Sequence, residues 1–236
     1  MIDREKLTAY SREYGVALAR EQIEQFDSYC RLLLEWNEKM NLTAIREPEG
    51  VLIKHFIDSL ALLKFAALPQ GAKVIDVGTG AGFPGIPLKI ARPDIQLTLL
   101  DSLNKRLVFL QEVSQALGLD AKLIHSRAEE GGKLPGLRQH FDVAVSRAVA
   151  SMNLLAEYCI PFVKVGGVFL AAKGPDIGEE LSQAEKAVCL LGGTVEKVEH
   201  YALPDESGRT LVVIRKEKAT PAQYPRHGSK IAKKPL

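Results

Sequence analysis

Val74-Ile75-Asp76-Val77 runs directly into Gly78-Thr79-Gly80-Ala81-Gly82, a short β-branched stretch followed by a glycine-rich turn. With no Cβ at Gly78 or Gly80, a ligand can lie close against the backbone. Asp101 ends a second apolar run 19 residues beyond Gly82, near the roughly 20-residue spacing of a carboxylate that accepts hydrogen bonds from a ribose. The loop departs from G-x-G-x-x-G, because Phe83 stands three residues after Gly80 and Pro84-Gly85 follow. A diphosphate is therefore a poor match. A nucleoside with a charged amino-acid end, S-adenosylmethionine, is a better one.

Three further positions could serve such a ligand. Asp76 is placed either to meet its ammonium group, directly or through water, or to accept backbone N–H bonds from the turn. Ala128-Glu129, after a third apolar run, would meet adenine through backbone and carboxylate, or else form a solvated acidic turn with Glu130. Arg147, after a fourth run, would bind the cofactor carboxylate or a guanine acceptor edge, or form a surface salt bridge.

The residue types also limit the reaction. Methylation of a pyrimidine carbon needs a cysteine nucleophile, and Cys30, Cys159 and Cys189 stand in no loop at the carboxyl end of a strand. Methylation of an exocyclic amine usually employs an Asp/Asn-Pro-Pro-Tyr segment after the fourth strand, where this chain reads Ser146-Arg147-Ala148-Val149. A ring nitrogen such as guanine N7 attacks a sulfonium methyl with its own lone pair, so in-line displacement needs orientation and no general base. His55, His125, His140, His200 and His227 lack metal-ligand spacing and receive no catalytic role. The cysteines likewise predict neither a disulfide framework nor a metal.

The elements that must hold these residues alternate. Val74 to Val77, Gln96 to Leu100, Ala121 to Ile124, Phe141 to Val145 and Val168 to Ala171 are strand-like runs separated by helical stretches, which predicts parallel strands with crossover helices. In the helix of Lys105 to Leu117, Leu107, Leu110, Val113 and Leu117 share one face, and Gly118 is its stop. Thr194 to Leu203 and Thr210 to Arg215 have no helix between them and predict an antiparallel pair at a sheet edge. Before residue 69, Ile23, Phe26, Cys30, Leu33 and Leu34 recur at helical spacing, as do Ile53, Phe56, Ile57, Leu60 and Leu63. The expected fold is α/β: a doubly wound, seven-strand, mostly parallel sheet over residues 69–218, with an N-terminal helical extension (1–68) and a basic C-terminal arm (219–236).

Length and composition agree with that layout. At 236 residues, 46% hydrophobic and 25% charged, the chain can bury a sizeable core. It shows neither an apolar membrane-spanning run nor a signal peptide, which predicts a cytoplasmic protein with no membrane partner. The net charge of +2 conceals an asymmetry. From Arg215 onward Lys216, Lys218, Arg226, Lys230, Lys233 and Lys234 add to Arg215 against Glu217 alone, a net +6 that leaves −4 on the body. Such a tail predicts a polyanionic partner, with Arg226, Lys230, Lys233 and Lys234 as RNA contacts and the tail ordered against that partner.

Several segments together resemble one family, the bacterial small-subunit ribosomal RNA guanine-N7 methyltransferases G, also called glucose-inhibited division protein B. They are Asn41-Leu42-Thr43-Ala44, His55-Phe56-Ile57-Asp58-Ser59-Leu60, Gly78 to Gly85, Arg127-Ala128-Glu129, Arg147-Ala148-Val149 and Lys233-Lys234-Pro235-Leu236. The tail reads Tyr224-Pro225-Arg226-His227-Gly228, without the Pro-Gly step common in that family. The resemblance implies a class I S-adenosylmethionine-dependent methyltransferase fold and transfer to N7 of one guanine in the decoding-region loop of 16S rRNA. Naked RNA or a 30S particle would be the partner and the protein a monomer. It implies cofactor contacts at Gly78, Phe83, Ala128, Glu129 and Arg147, with Asp101 and Ser102 at the ribose. A methyltransferase for a small molecule or a protein, a nicotinamide-dependent oxidoreductase and a noncatalytic RNA-binding module would share the same fold.

Overall fold

The computed structural model describes residues 1–147 and 150–236; Ala148 and Val149, quoted above, lie outside the described residues. The chain opens with helices α1 (Arg4–Glu13) and α2 (Arg20–Met40). A broken helical rod follows: α3 (Pro48–Val51), a π-helical turn (Leu52–Ile57), α4 (Asp58–Leu60) and α5 (Leu62–Phe65). Then come β1 (Lys73–Val77), α6 (Gly85–Ala91), β2 (Gln96–Asp101), α7 (Asn104–Leu117), β3 (Ala121–His125), α8 (Ala128–Gly131) and β4 (Phe141–Arg147). The remainder is α9 (Met152–Cys159), β5 (Val163–Lys173), α10 (Gly178–Leu190), β6 (Gly193–Ala202), β7 (Gly208–Lys216) and α11 (Gly228–Lys233).

The seven strands form one sheet in the order β3-β2-β1-β4-β5-β7-β6. β1 to β5 run parallel, and β7 is antiparallel to both β5 and β6. The doubly wound α/β architecture expected from the alternation is present. Side chains two apart share a face of the sheet. Val143, Val145, Leu170 and Leu211 thus join one core, while Ala144, Phe169 and Val212 join the other.

The N-terminal helices belong to the first of these cores. Leu7, Phe26, Tyr29, Leu33, Phe56 and Leu60 are buried in the same cluster as Leu97, Leu99 and Val145. α7 ends as its pattern predicts: Gly118 adopts φ 63°, and Leu119 N donates to Ser114 O at 2.9 Å, a helix stop that a residue with a Cβ adopts at a cost.

The C-terminal segment differs from its expected behaviour. It is folded against α9 and α8. Ile231 and Pro225 are buried, and Arg138 donates to Tyr224 O and to Thr220 O, each at 2.7 Å. Arg226 donates through N, Nε and Nη2 to Glu157, at 2.6 to 3.1 Å, and the Glu157 side chain is completely buried. Counting charges could not show this, because the anchoring acid lies 69 residues away from Arg226 and on another element. Arg226 is thereby engaged internally, unlike the other three cations expected to contact RNA. Lys230, Lys233 and Lys234 remain exposed.

Candidate methyl-transfer site

The carboxyl ends of the parallel strands open on a cavity of about 790 Å³, the place where ligands bind in doubly wound sheets. Its floor is the glycine turn after β1. Gly78, Gly80 and Gly82 have φ of 70°, 60° and 100°, and Gly78 N and Thr79 N donate to Leu100 O at 2.9 and 3.1 Å, tying the turn to the end of β2. A Cβ at Gly80 would meet nothing nearer than Gly78 O at 4.0 Å, so its space is the cavity itself. At Gly82 a Cβ would stand 2.5 Å from Tyr29 Oη and 2.9 Å from Leu110; that glycine serves packing.

One wall comes from β2 and β3. Asp101, 1% exposed, accepts from Gly80 N at 2.9 Å and Leu103 N at 2.9 Å, with Arg106 Nη1 at 3.2 Å. Ser102 beside it is exposed, and both line the cavity. Ala128 and Glu129 line the same side. Glu129 is buried whereas Glu130 is exposed, so these two acids do not form a uniformly solvated turn.

Asp76 is not among the residues lining the cavity, and of its two expected readings the structure shows the one in which it accepts bonds from the turn. It is completely buried, and its Oδ2 accepts from Thr79 Oγ1 at 2.7 Å and Gly85 N at 2.8 Å. It holds the turn from beneath. Oδ1 has no hydrogen-bond partner among the described residues. Burial pushes the carboxyl up to about 6, against the opposing pull of those two bonds.

The opposite wall is built from residues far apart in the chain. His55, on the π-helical turn, stacks on Phe83 with ring centroids 4.4 Å apart. The Arg147 guanidinium lies 5.1 Å from the centroid of the same ring, within cation–π range. Arg147 also donates to His55 Nδ1, Asp58 Oδ2 and Lys54 O, each at 3.0 Å. Arg209 Nε stands 3.3 Å from Asp58 Oδ1. The expected surface reading of Arg147 is overturned, since its side chain is 13% exposed. Its fork is engaged by the N-terminal helices while the residue still lines the cavity.

His55 Nδ1 faces both the Arg147 guanidinium, a donor, at 3.0 Å and Lys54 O, an acceptor, at 3.1 Å, while Nε2 lies 2.8 Å from Thr43 Oγ1. Burial, then repulsion from Arg147, pulls the His55 imidazolium down to about 3, leaving the ring neutral. His55, Thr43, Asp58 and Arg209 were given no role by the sequence. The available signal was a polar pair, His55 and Asp58, at helical i, i+3 spacing within an otherwise apolar face of Phe56, Ile57 and Leu60. π-helical turns frequently mark functional sites. Among the described residues no group of three His, Cys, Asp or Glu could hold a metal ion, and no helix is long and apolar enough to cross a membrane.

This strand order, with the glycine turn after β1 and the acid ending β2, defines a class I methyltransferase fold. It is shared with the precorrin-6y C5,15-methyltransferase of Geobacter metallireducens, at a TM-score of 0.52 and 16% identity over 73% of this chain and 90% of that one, a likeness of fold alone. The family model of GidB, rRNA small subunit methyltransferase G, matches residues 22–208, and the chain belongs to that family. The ribosomal RNA small subunit methyltransferase G of Alkaliphilus metalliredigens is 52% identical over 227 residues, 95% of each chain. The enzyme of the same name from Brevibacillus brevis is 50% identical over 224 residues, 94% of each.

Proposed function

We propose that the protein transfers a methyl group from S-adenosylmethionine to N7 of a guanine in the decoding-region loop of 16S rRNA. The observation that carries this reading is the pairing of a glycine cradle with a facing wall whose histidine and carboxylate side chains, among the described residues, are engaged internally. His55 Nδ1 is occupied by Arg147, Asp58 is held by Arg147 and Arg209, and Asp76 lies outside the cavity. Such a site suits an acceptor whose lone pair needs no deprotonation.

The cofactor fits the cradle: the space at Gly80 is open, and Asp101 and Glu129 stand along one wall as hydrogen-bond acceptors. When bound, it supplies an electrophilic methyl on a sulfonium. Gly78 and Gly80 let it approach the backbone, Asp101 and Ser102 hold the ribose, and Ala128 with Glu129 hold the adenine. Phe83 closes the side toward the acceptor, and Asp76 keeps the turn in shape. Arg147, fixed by Asp58 and His55, presents a flat cationic surface on which an electron-rich purine edge is oriented. Lys230, Lys233 and Lys234 meet RNA phosphates.

The deciding experiment is labelled methyl transfer to 30S particles from a strain lacking this gene, followed by nuclease mapping of the modified base. Label on guanine N7 of 16S rRNA is expected; label on an amine or a carbon rejects the assignment. In calorimetry the protein should bind S-adenosylmethionine and not NAD. Reversing Lys230, Lys233 and Lys234 to Glu should flatten the salt dependence of RNA binding. Substitution is preferred to deleting the tail, whose inner face supports the fold.

A further inference from the structure

The C-terminal segment reaches the cavity wall itself. After Arg226 is locked onto Glu157, the chain turns at His227 and brings Gly228 against the Glu129 side chain. A Cβ at Gly228 would stand 2.9 Å from Glu129 Cδ and nearer still to its Oε1. The backbone there has no positive φ, so a side chain is conformationally allowed at 228 but has no space. A side chain at 228 is opposed here by contact with Glu129, not by torsion.

The same segment is tied to the helix that carries Glu129. Arg138 Nη1 donates both to Gly132 O, just after α8, at 3.1 Å and to Tyr224 O at 2.7 Å. Pro225 Cγ stands 3.1 Å from where a Cβ at Gly132 would lie. Ile231 is completely buried. The tail is thus attached to α8 at its end and pressed on Glu129 at its start, while Lys230, Lys233 and Lys234 face solvent.

We propose that Gly228 is a positioning residue for methyl-donor binding: the tail forms the outer support of the cofactor wall and sets the place of the Glu129 carboxylate. This rests on the reading that the cavity takes S-adenosylmethionine with Glu129 as a contact. A methyl group at 228 collides with the far end of a flexible side chain, so the response is a swing of Glu129 and not unfolding.

The test is a double-mutant cycle read by calorimetry with S-adenosylmethionine and S-adenosylhomocysteine, alongside steady-state kinetics on 30S particles. Glu129→Ala and Gly228→Ala should each weaken donor binding by about three- to ten-fold, the range of one hydrogen bond. The double variant should bind no more weakly than Glu129→Ala alone. KM for the donor should rise in Gly228→Ala while KM for the particle stays unchanged. Unaltered binding in Gly228→Ala or additive losses overturn the proposal and leave the cofactor reading intact; no loss in Glu129→Ala overturns the proposal together with Glu129 as a cofactor contact. Failure of the wild-type protein to bind either nucleoside overturns that reading as well. If Gly228→Ala proves unstable, the double variant, which lacks the colliding carboxylate, replaces it: binding equal to Glu129→Ala supports the proposal and weaker binding rejects it.

Discussion

The two walls of the cavity are built on different principles. The wall formed by the glycine turn, Asp101 and Glu129 comes from consecutive strand ends, and the contacts that shape its turn are short in sequence, Gly80 to Asp101 or Asp76 to Gly85, although the tail packs on Glu129 from outside. The wall formed by Phe83, His55, Asp58, Arg147 and Arg209 is assembled across the whole chain, with Arg147 reaching back 89 residues to Asp58. The first is a backbone cradle shaped by turn chemistry. The second is a buried network of charges and rings, stable only when every member is in place. A local site tolerates change around it, whereas a network assembled by packing fails with any one partner.

The comparison is broken most directly at Gly80. Gly80→Val should abolish donor binding in calorimetry while the circular dichroism spectrum stays that of a folded protein, because the new side chain occupies cavity space and adopts a disfavoured positive φ. Retained binding in a folded variant would remove the cradle from the argument. On the opposite wall, Arg147→Ala should act on stability. It leaves Asp58 buried with one of its two guanidinium partners, within the ~3–5 kcal/mol range for breaking a buried ion pair. A denaturant midpoint close to wild type would show that the network is not cooperative.

Asp76 sharpens the contrast through pH. Its carboxyl is raised above the unfolded value of 3.8 to about 6, so the native state holds the proton more tightly. The stabilisation is present at acid pH and is lost as pH rises through about 6. Relative to Asp76→Asn, wild-type stability should fall by on the order of 3 kcal/mol from about pH 4 to about pH 7; parallel profiles would refute the shift. The smallest effect is expected at Asp101. Asp101→Ala should weaken donor binding by roughly 0.5 to 1.5 kcal/mol per lost ribose hydrogen bond, and it also releases Gly80 N and Leu103 N, so the melting temperature should be followed alongside.

Much of the cradle wall was legible before any coordinates. Val74 to Val77 and the glycines after it carry a backbone signature, and the carboxyl end of β2 follows from an apolar run closing on Asp101. The alternation that set β1 to β5 parallel is equally local, since crossover helices write their periodicity between the strands. His55 was not legible. Its ring becomes part of the site through burial of the N-terminal helices against the sheet, and the polar pair His55 and Asp58 in an apolar stretch does not reveal Arg147 and Phe83 as its eventual partners. Asp76 was half legible: its position under the turn was readable, but whether the carboxylate faced ligand or backbone depended on where Gly85 N and Thr79 Oγ1 came to rest.

The tail shows the same division. Its positive charge was countable, and Lys230, Lys233 and Lys234 do face solvent, but Arg226 is drawn inward by Glu157 and Gly228 is pressed on Glu129. By itself the amino-acid sequence determined the strand pattern, the turn and the charge, because these follow from side-chain periodicity and from torsions that act within a few residues. Tertiary structure alone decided which charges meet, which histidine is neutral and which glycine is needed for space. Those outcomes depend on burial and distance between segments that packing brings together.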